Sequence, residues 1–171
     1  MNSTKKIKDG EFKKYYRSPK GKTPKEFGSY KDGLLHGRWQ DFYKNGKVRT
    51  IGNYIKGKPT GAWETFDAAG VRVRENTYKN GEECGYYAYY YFNGNIDSKG
   101  VIFNDEHEGL YEHFYINGQL AMRGFFENDN RVGDWEYFDK NGTKIDAKEY
   151  FELKLDEPEN PEHQWLSLIH I

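Results

Sequence analysis

The chain has 171 residues and a mass of 20.2 kDa, the size of one ordinary domain. Apolar residues make up 36% and charged residues 31%, but 18% are aromatic, so the apolar content sits in rings; this excludes a disordered chain, and no apolar run is long enough for a membrane-crossing helix. The net charge of −1 hides an asymmetry: residues 1–58 carry 16 Lys+Arg against 5 Asp+Glu, or +11, and residues 59–171 carry 10 against 22, or −12. One end of an elongated molecule should be basic and the other acidic, which steers a charged partner or favours head-to-tail self-contact.

Residues 1–9 read as a basic tail with Lys5, Lys6 and Lys8 and no apolar core of a secretory signal, so the expected compartment is the cytoplasm. A degenerate first repeat spans residues 10–36, with Gly10-Glu-Phe12, Tyr15-Tyr16, Gly28-Ser-Tyr30 and a longer loop around Pro19 and Gly21. A strict 24-residue period then begins. Gly-x-aromatic recurs at Gly37/Trp39, Gly61/Trp63, Gly85/Tyr87, Gly109/Tyr111 and Gly133/Trp135. Five residues after each of these glycines stands a ring (Phe42, Phe66, Tyr90, Phe114, Phe138), and nine after stands a second glycine (Gly46, Gly70, Gly94, Gly118, Gly142). Asn45, Asn93, Asn117 and Asn141 precede four of those second glycines, and a further column runs Tyr54, Tyr78, Ile102, Phe126 and Tyr150.

Asn-Gly between alternating runs signals a two-residue hairpin loop in which both residues adopt positive φ. With Asn45-Gly46 as that loop, Trp39 falls opposite Gly52, Gly37 opposite Tyr54 and Tyr43 opposite Val48. Rings would then shield strand glycines. The last pair has the counterparts Asp67–Arg72, Tyr91–Ile96, Tyr115–Leu120 and Asp139–Lys144, which match charge with charge and ring with aliphatic. The second connections, Lys56-Gly57, Asn80-Gly81, Asn104-Asp105 and Asn128-Asp129, also suit tight turns. The fold class is therefore all-β: a single-layer antiparallel meander of tandem hairpins over residues 10–151, elongated and curled, with no stretch of helical period. Residues 152–171 read as a cap and tail, extended at Pro158 and Pro161 within the acidic run Asp156 to Glu162; the last six, LSLIHI, look like a translated adapter sequence and are set aside.

The pattern Gly37-x-Trp39-x-x-Phe42-Tyr43-x-Asn45-Gly46-Lys47, followed by Gly52-x-Tyr54-x-x-Gly57-Lys58, resembles the MORN-repeat variant of bacterial proteins over about residues 10–150. The nearest named group it resembles is the YwqK-family antitoxins. That resemblance implies an immunity partner of a secreted toxin.

Strand alternation sorts the rings into two faces. One carries Trp39, Tyr43, Tyr54, Trp63, Tyr78, Tyr87, Tyr91, Tyr111, Tyr115, Phe126, Trp135 and Tyr150. The other carries Phe42, Phe66, Tyr90, Phe114 and Phe138 among polar neighbours, and turns apolar in the middle units at Ala62, Tyr86, Ala88, Phe92, Val101, Phe103, Leu110, Ile116 and Phe125. A single layer cannot bury both, so it curls, is capped by its tails or presents rings to a partner. The first face is expected to form a ring-lined groove. The expected contact residues are Trp63, Tyr86, Tyr87, Tyr89, Tyr90, Tyr91, Phe92, Tyr111, Tyr115 and Trp135, with the run 86–92 foremost because it departs most from its sister units.

Signals for chemistry are weak. Gly52-x-x-x-x-Gly57-Lys58 opens like a phosphate loop, but Pro59 follows and the spacing is the repeat's own. His107 and His113 would lie about 20 Å apart along a strand, too far to share a metal. Cys84 has Glu82 and Glu83 beside it, which work against a reactive thiolate. No catalytic residue, cofactor or metal site is expected. The expectation is a non-enzymatic protein-binding module, an antitoxin covering a toxin, with no nucleic-acid partner; self-association into a scaffold and binding to an anionic membrane surface are the alternatives, the membrane placed last.

Overall fold

Two kinds of turn build the molecule. The computed structural model describes residues 8–18 and 21–154; residues 1–7, Pro19 and the expected tail beyond Lys154 lie outside them. The strands are β1 (Gly10–Ser18), β2 (Gly21–Lys31), β3 (Leu34–Leu35), β4 (Gly37–Phe42), β5 (Val48–Ile55), β6 (Lys58–Phe66), β7 (Arg72–Lys79) and β8 (Glu82–Tyr90). They continue as β9 (Ile96–Phe103), β10 (Glu106–Phe114), β11 (Leu120–Glu127), β12 (Asn130–Phe138) and β13 (Lys144–Ile145). All pairing is antiparallel between neighbours, in one open sheet running from β1 to β13, with the short β3 attached to β2.

The turns leading into β6, β8, β10 and β12 have two residues, as expected. Ile55 pairs with Lys58, Lys79 with Glu82, Phe103 with Glu106 and Glu127 with Asn130. Both central residues are left-handed even where neither is glycine: Asn104 (φ 53°), Asp105 (φ 64°), Asn128 (φ 49°) and Asp129 (φ 62°). Asn and Asp tolerate this conformation, and its twist matches that of the flanking strands.

The Asn-Gly turns differ from expectation. Phe42, not Tyr43, pairs with Val48, and the same shift holds for Phe66–Arg72, Tyr90–Ile96, Phe114–Leu120 and Phe138–Lys144. The Tyr43 N–H donates to Lys47 O at 2.8 Å and Gly46 N–H to Tyr43 O at 2.9 Å, and the other four units repeat this pair of bonds. Each loop thus has three residues closing on a left-handed glycine, while the preceding Asn is not left-handed. One extra residue in the next strand, Arg49 in the first of these units, restores the register, so Trp39 still faces Gly52 and Gly37 faces Tyr54. The expected charge pairs fall away as well: Arg72 joins Glu64 and Glu75, and Lys144 joins Glu136.

The Asn earns its place through side-chain hydrogen bonds. Asn93 Oδ1 accepts from the Asn95 N–H at 3.0 Å within its own turn, and Asn93 Nδ2 donates to Ile116 O at 2.8 Å in the next. Asn45 and Asn117 do the same towards Ala68 and Lys140. Beside them, Tyr16, Tyr43, Tyr91 and Tyr115 donate to the carbonyls of Phe42, Phe66, Phe114 and Phe138. These bonds stitch unit to unit along a single border of the sheet, except from the unit that starts at Gly61, where Asp67 and Ala69 replace the Tyr and the Asn. Replacing Asn93 and Asn117 together by Ala should cost about 1 kcal/mol per site and speed amide exchange at the tips of the two following turns, measured by hydrogen–deuterium exchange.

A second irregularity curls the sheet. Ile51 pairs with Glu64 but Asn53 pairs with Thr60, so Gly61, Ala62 and Trp63 stand against Gly52 alone. The same step recurs at Gly109–Tyr111 against Gly100 and at Gly133–Trp135 against Gly124. A left-handed leading glycine (φ 67° at Gly61) makes the bend, and two extra residues preserve which face each side chain meets.

At Gly52 and Gly124 the ring over the strand glycine belongs to the following unit rather than to the glycine's own hairpin. A Cβ built on Gly52 would overlap the Trp63 indole, and one on Gly124 the Trp135 indole. Where Asn76 replaces glycine, the following ring is Tyr87, which leans the other way over Gly100. The expected shielding within one hairpin thus holds at Gly100 under Tyr87 and is shared at Gly28 by Phe12 and Trp39, whereas at Gly52 and Gly124 it comes across the unit border.

One helix, α1 (Ala147–Lys154), corrects the reading without helix and carries the described cap past residue 151. Asp146 starts it, its Oδ1 accepting from the Glu149 N–H at 2.9 Å. Tyr150, expected on a strand, instead sits on this helix and is 1% exposed, with its ring 5.0 Å from that of Tyr137. It joins Tyr87, Tyr111, Tyr115, Ala121, Met122 and Phe126 in the main core.

Candidate functional site

The face carrying most of the large rings is the protein's interior. Trp39, Trp63, Tyr54 and Tyr78 pack edge-to-face or tilted with centroids 5.1–6.0 Å apart, and Tyr111, Phe126 and Trp135 do likewise. Each such ring contact adds roughly 0.5–1.5 kcal/mol to the area it buries. Curling of the sheet packs the rings of neighbouring units against one another, and α1 covers this face at β12, with Tyr150 joining the main core. Trp63, Tyr87, Tyr111 and Tyr115 are buried there and offer no groove for a partner. Trp135 is half-buried, with the Arg131 guanidinium 4.1 Å from its ring centroid.

Burial pushes the Tyr87 and Tyr111 phenols far above the ordinary tyrosine range. In an unfolded chain they ionise near pH 10. The folded state holds these protons where the unfolded state has lost them, so the stability they carry is full below about pH 10 and declines as pH rises. An alkaline titration followed by phenolate absorbance should show a late group of tyrosines that ionises only as the fold is lost; Tyr87→Phe with Tyr111→Phe should shrink that late step.

The expected contact run 86–92 divides between the faces. Tyr87 is inside, Tyr89 is half-buried against the core with Arg74 5.3 Å from its ring centroid, and Tyr91 is committed to its bond with Phe114 O. On the outer face, Tyr90 donates to Glu75 Oε2 at 2.9 Å and is half-buried, whereas Tyr86 is 40% exposed. Phe92 stands at a turn tip, 76% exposed.

Tyr86 does not stand alone. It pairs with Val101 across β8 and β9, while Leu110 pairs with Phe125 across β10 and β11, and Phe103 lies two residues beyond Val101. All four of these partners are exposed, Phe125 and Phe103 more than half. The sheet thus presents one apolar patch over its third and fourth regular units. In the units before it, the same positions hold Arg38 with Asn53 and Ala62 with Thr77. Charges frame it: Val101 faces Glu108 and Phe103 faces Glu106 on one side, and the Lys99–Glu112 (2.8 Å) and Arg123–Glu136 (2.5 Å) ion pairs run along the other. Val101, Phe103, Leu110 and Phe125 were visible as an apolar break in the second face. Expecting the first face to be the open one kept them out of the contact set.

His107 and His113 are engaged within the protein. Asp129 Oδ1 accepts from the His107 N–H at 2.6 Å and lies 2.8 Å from His107 Nδ1, which holds the Asp129 carboxyl below its usual range. His113 is buried with its Nε2 3.6 Å from Asp97 Oδ1. Among the described residues, no three His, Cys, Asp or Glu side chains stand together as a metal site, and Cys84 is a free, half-buried thiol. No helix among the described residues is long and apolar enough to cross a membrane.

The family model for the MORN repeat variant matches residues 35–56 and 108–128. These cover the hairpin built on Gly37 and the one after Glu108, including Leu110 and Phe125 of the patch. No curated protein matches the chain. Among solved structures, a chain of the glycosylation associate protein (Gap123) complex from Streptococcus agalactiae is similar at 19% identity with a TM-score of 0.36. The similarity covers 59% of this chain and 18% of that one. The repeat match and the open hairpin sheet fit a repeat module that binds protein or membrane.

Proposed function

We propose that this chain is a non-enzymatic, cytoplasmic protein-binding module, and that its partner is a basic protein seated on the outer patch of Tyr86, Val101, Phe103, Leu110 and Phe125. The observation that carries this reading is the contiguity of the patch: paired positions on four successive strands expose large apolar side chains, whereas the equivalent positions in the earlier units are polar or small. Soluble proteins rarely leave such a surface without use. The glutamates around it, in the half of the chain with a net charge of −12, favour a cationic partner. A secreted toxin acting on nucleic acid has that charge, because its own substrate demands it. In the antitoxin version of this reading, the chain neutralises such a toxin by covering its active surface.

The test is co-purification with the product of the adjacent gene, together with growth rescue when that product is toxic. A complex lost on Leu110→Glu with Phe125→Glu, at an unchanged melting temperature, supports the patch. No complex and no rescue overturn the antitoxin version, and a complex indifferent to both substitutions overturns the patch.

A further inference from the structure

The first strand presents a second, chemically different surface. Among the described residues, β1 pairs with β2 on one side only, and no other strand pairs with its outer backbone edge. β1 and β2 carry exposed Lys13, Lys14, Arg17, Lys22 and Lys25. Glu26 pairs with Lys14 at 2.6 Å. Lys13, Lys22 and Lys25 instead stand 5.5–5.9 Å from the ring centroids of Phe27, Tyr15 and Tyr16. This end of the sheet is therefore a strongly basic edge with a ring behind most of its cations. Two such edges repel one another, so β1 is guarded against pairing with another β1.

At the other end, α1 finishes at Lys154 and the sequence continues Leu-Asp-Glu-Pro-Glu-Asn-Pro-Glu, four carboxylates and no cation in residues 155–162. Those eight residues reach at most about 28 Å when fully extended. The twelve strands of the main path place β1 about 50 Å away along the sheet at ~4.8 Å per strand. Fully extended along the sheet, the acidic stretch of one molecule covers about half of the way to its own β1.

From this placement we infer that residues 156–162 of one copy dock on the basic β1–β2 end of a second copy, joining molecules head to tail. The contact uses different surfaces on the two molecules, so it does not close at a dimer and lengthens with concentration. It is electrostatic, so salt dissolves it. The inference stands apart from the outer patch and does not depend on it.

Light scattering across a concentration series tests it with the full chain. In about 0.02 M salt the mean mass should climb above 20.2 kDa with concentration, and in about 0.5 M salt, where charges are screened beyond roughly 4 Å, it should return to that of the monomer. A chain ending at Leu155, and separately the Lys13→Glu/Arg17→Glu variant, should each remain monomeric at low salt with native far-UV spectra. Mixed together, these two should form a dimer and stop there, because only one docking end and one acidic segment remain between them. A monomer at every low-salt concentration, or association indifferent to both changes, would overturn the inference. So would a salt-insensitive dimer, which would place the second copy on the apolar patch.

Discussion

Gly52→Ala and Gly124→Ala are each expected to destabilise the protein by about 2–3 kcal/mol, the scale of forced overpacking. Away from special contacts, glycine within a strand is a weakness that alanine relieves. Here the sign reverses, because the added methyl would lie within the indole of Trp63 or Trp135. The ring cannot retreat without losing its contacts, which for Trp63 are Trp39, Tyr54 and Tyr78. Shrinking the ring should relieve the strain: Trp63→Tyr in the Gly52→Ala background copies the natural pairing of Asn76 with Tyr87. Urea midpoints of the four proteins of this cycle should show a favourable coupling of at least about 1 kcal/mol. Purely additive losses would mean that glycine and indole do not share the space.

Tyr111→Ala is expected to cost about 3–4 kcal/mol, as removal of a large buried ring does. Tyr111 is 3% exposed and packs against Phe126 and Trp135 from the centre of the main core. Its chain neighbour Leu110 points the other way, and Leu110→Ser should alter stability by no more than about 0.5 kcal/mol. Repeat folds stack neighbour on neighbour, so the Tyr111 loss should first open the hairpins on either side and broaden the transition. Thermal melts read by far-UV dichroism distinguish the two variants.

Much of the fold was legible because it repeats. The 24-residue period located the hairpins from Gly37 onward, and Asn-Asp or Lys-Gly at the second turns identified loops with two left-handed residues; the first hairpin was expected to carry a longer loop around Pro19 and Gly21, but Ser18 pairs with Gly21. The first turns were misread for a local reason. Asn-Gly suits a two-residue loop and also the last two places of a three-residue one, and the extra residue at Arg49 cancels the difference further along the strand. The Asn side chain bonds to the next unit's turn, a relation between neighbours that one hairpin's pattern does not display. Helix α1 was hidden because Tyr150 continues the column of Tyr54 and Tyr78, and eight residues are too few to announce a helical period. The site was harder still. Alternation separates the two faces but does not say which one closes; that depends on the direction of curl at Gly61, Gly109 and Gly133 and on α1 covering the same side.

The central claim is that consecutive strand residues meet opposite fates: the ring-rich side is sealed as core and the side bearing Tyr86, Val101, Leu110 and Phe125 stays open. Tyr86 and Tyr87 are adjacent in sequence, 40% and 1% exposed. Nitration of the native protein, mapped by mass spectrometry, compares them within one peptide. The structure predicts rapid modification of Tyr86 while Tyr87 and Tyr111 stay protected until the protein unfolds. Equal rates at Tyr86 and Tyr87, or faster reaction at Tyr87, would contradict it.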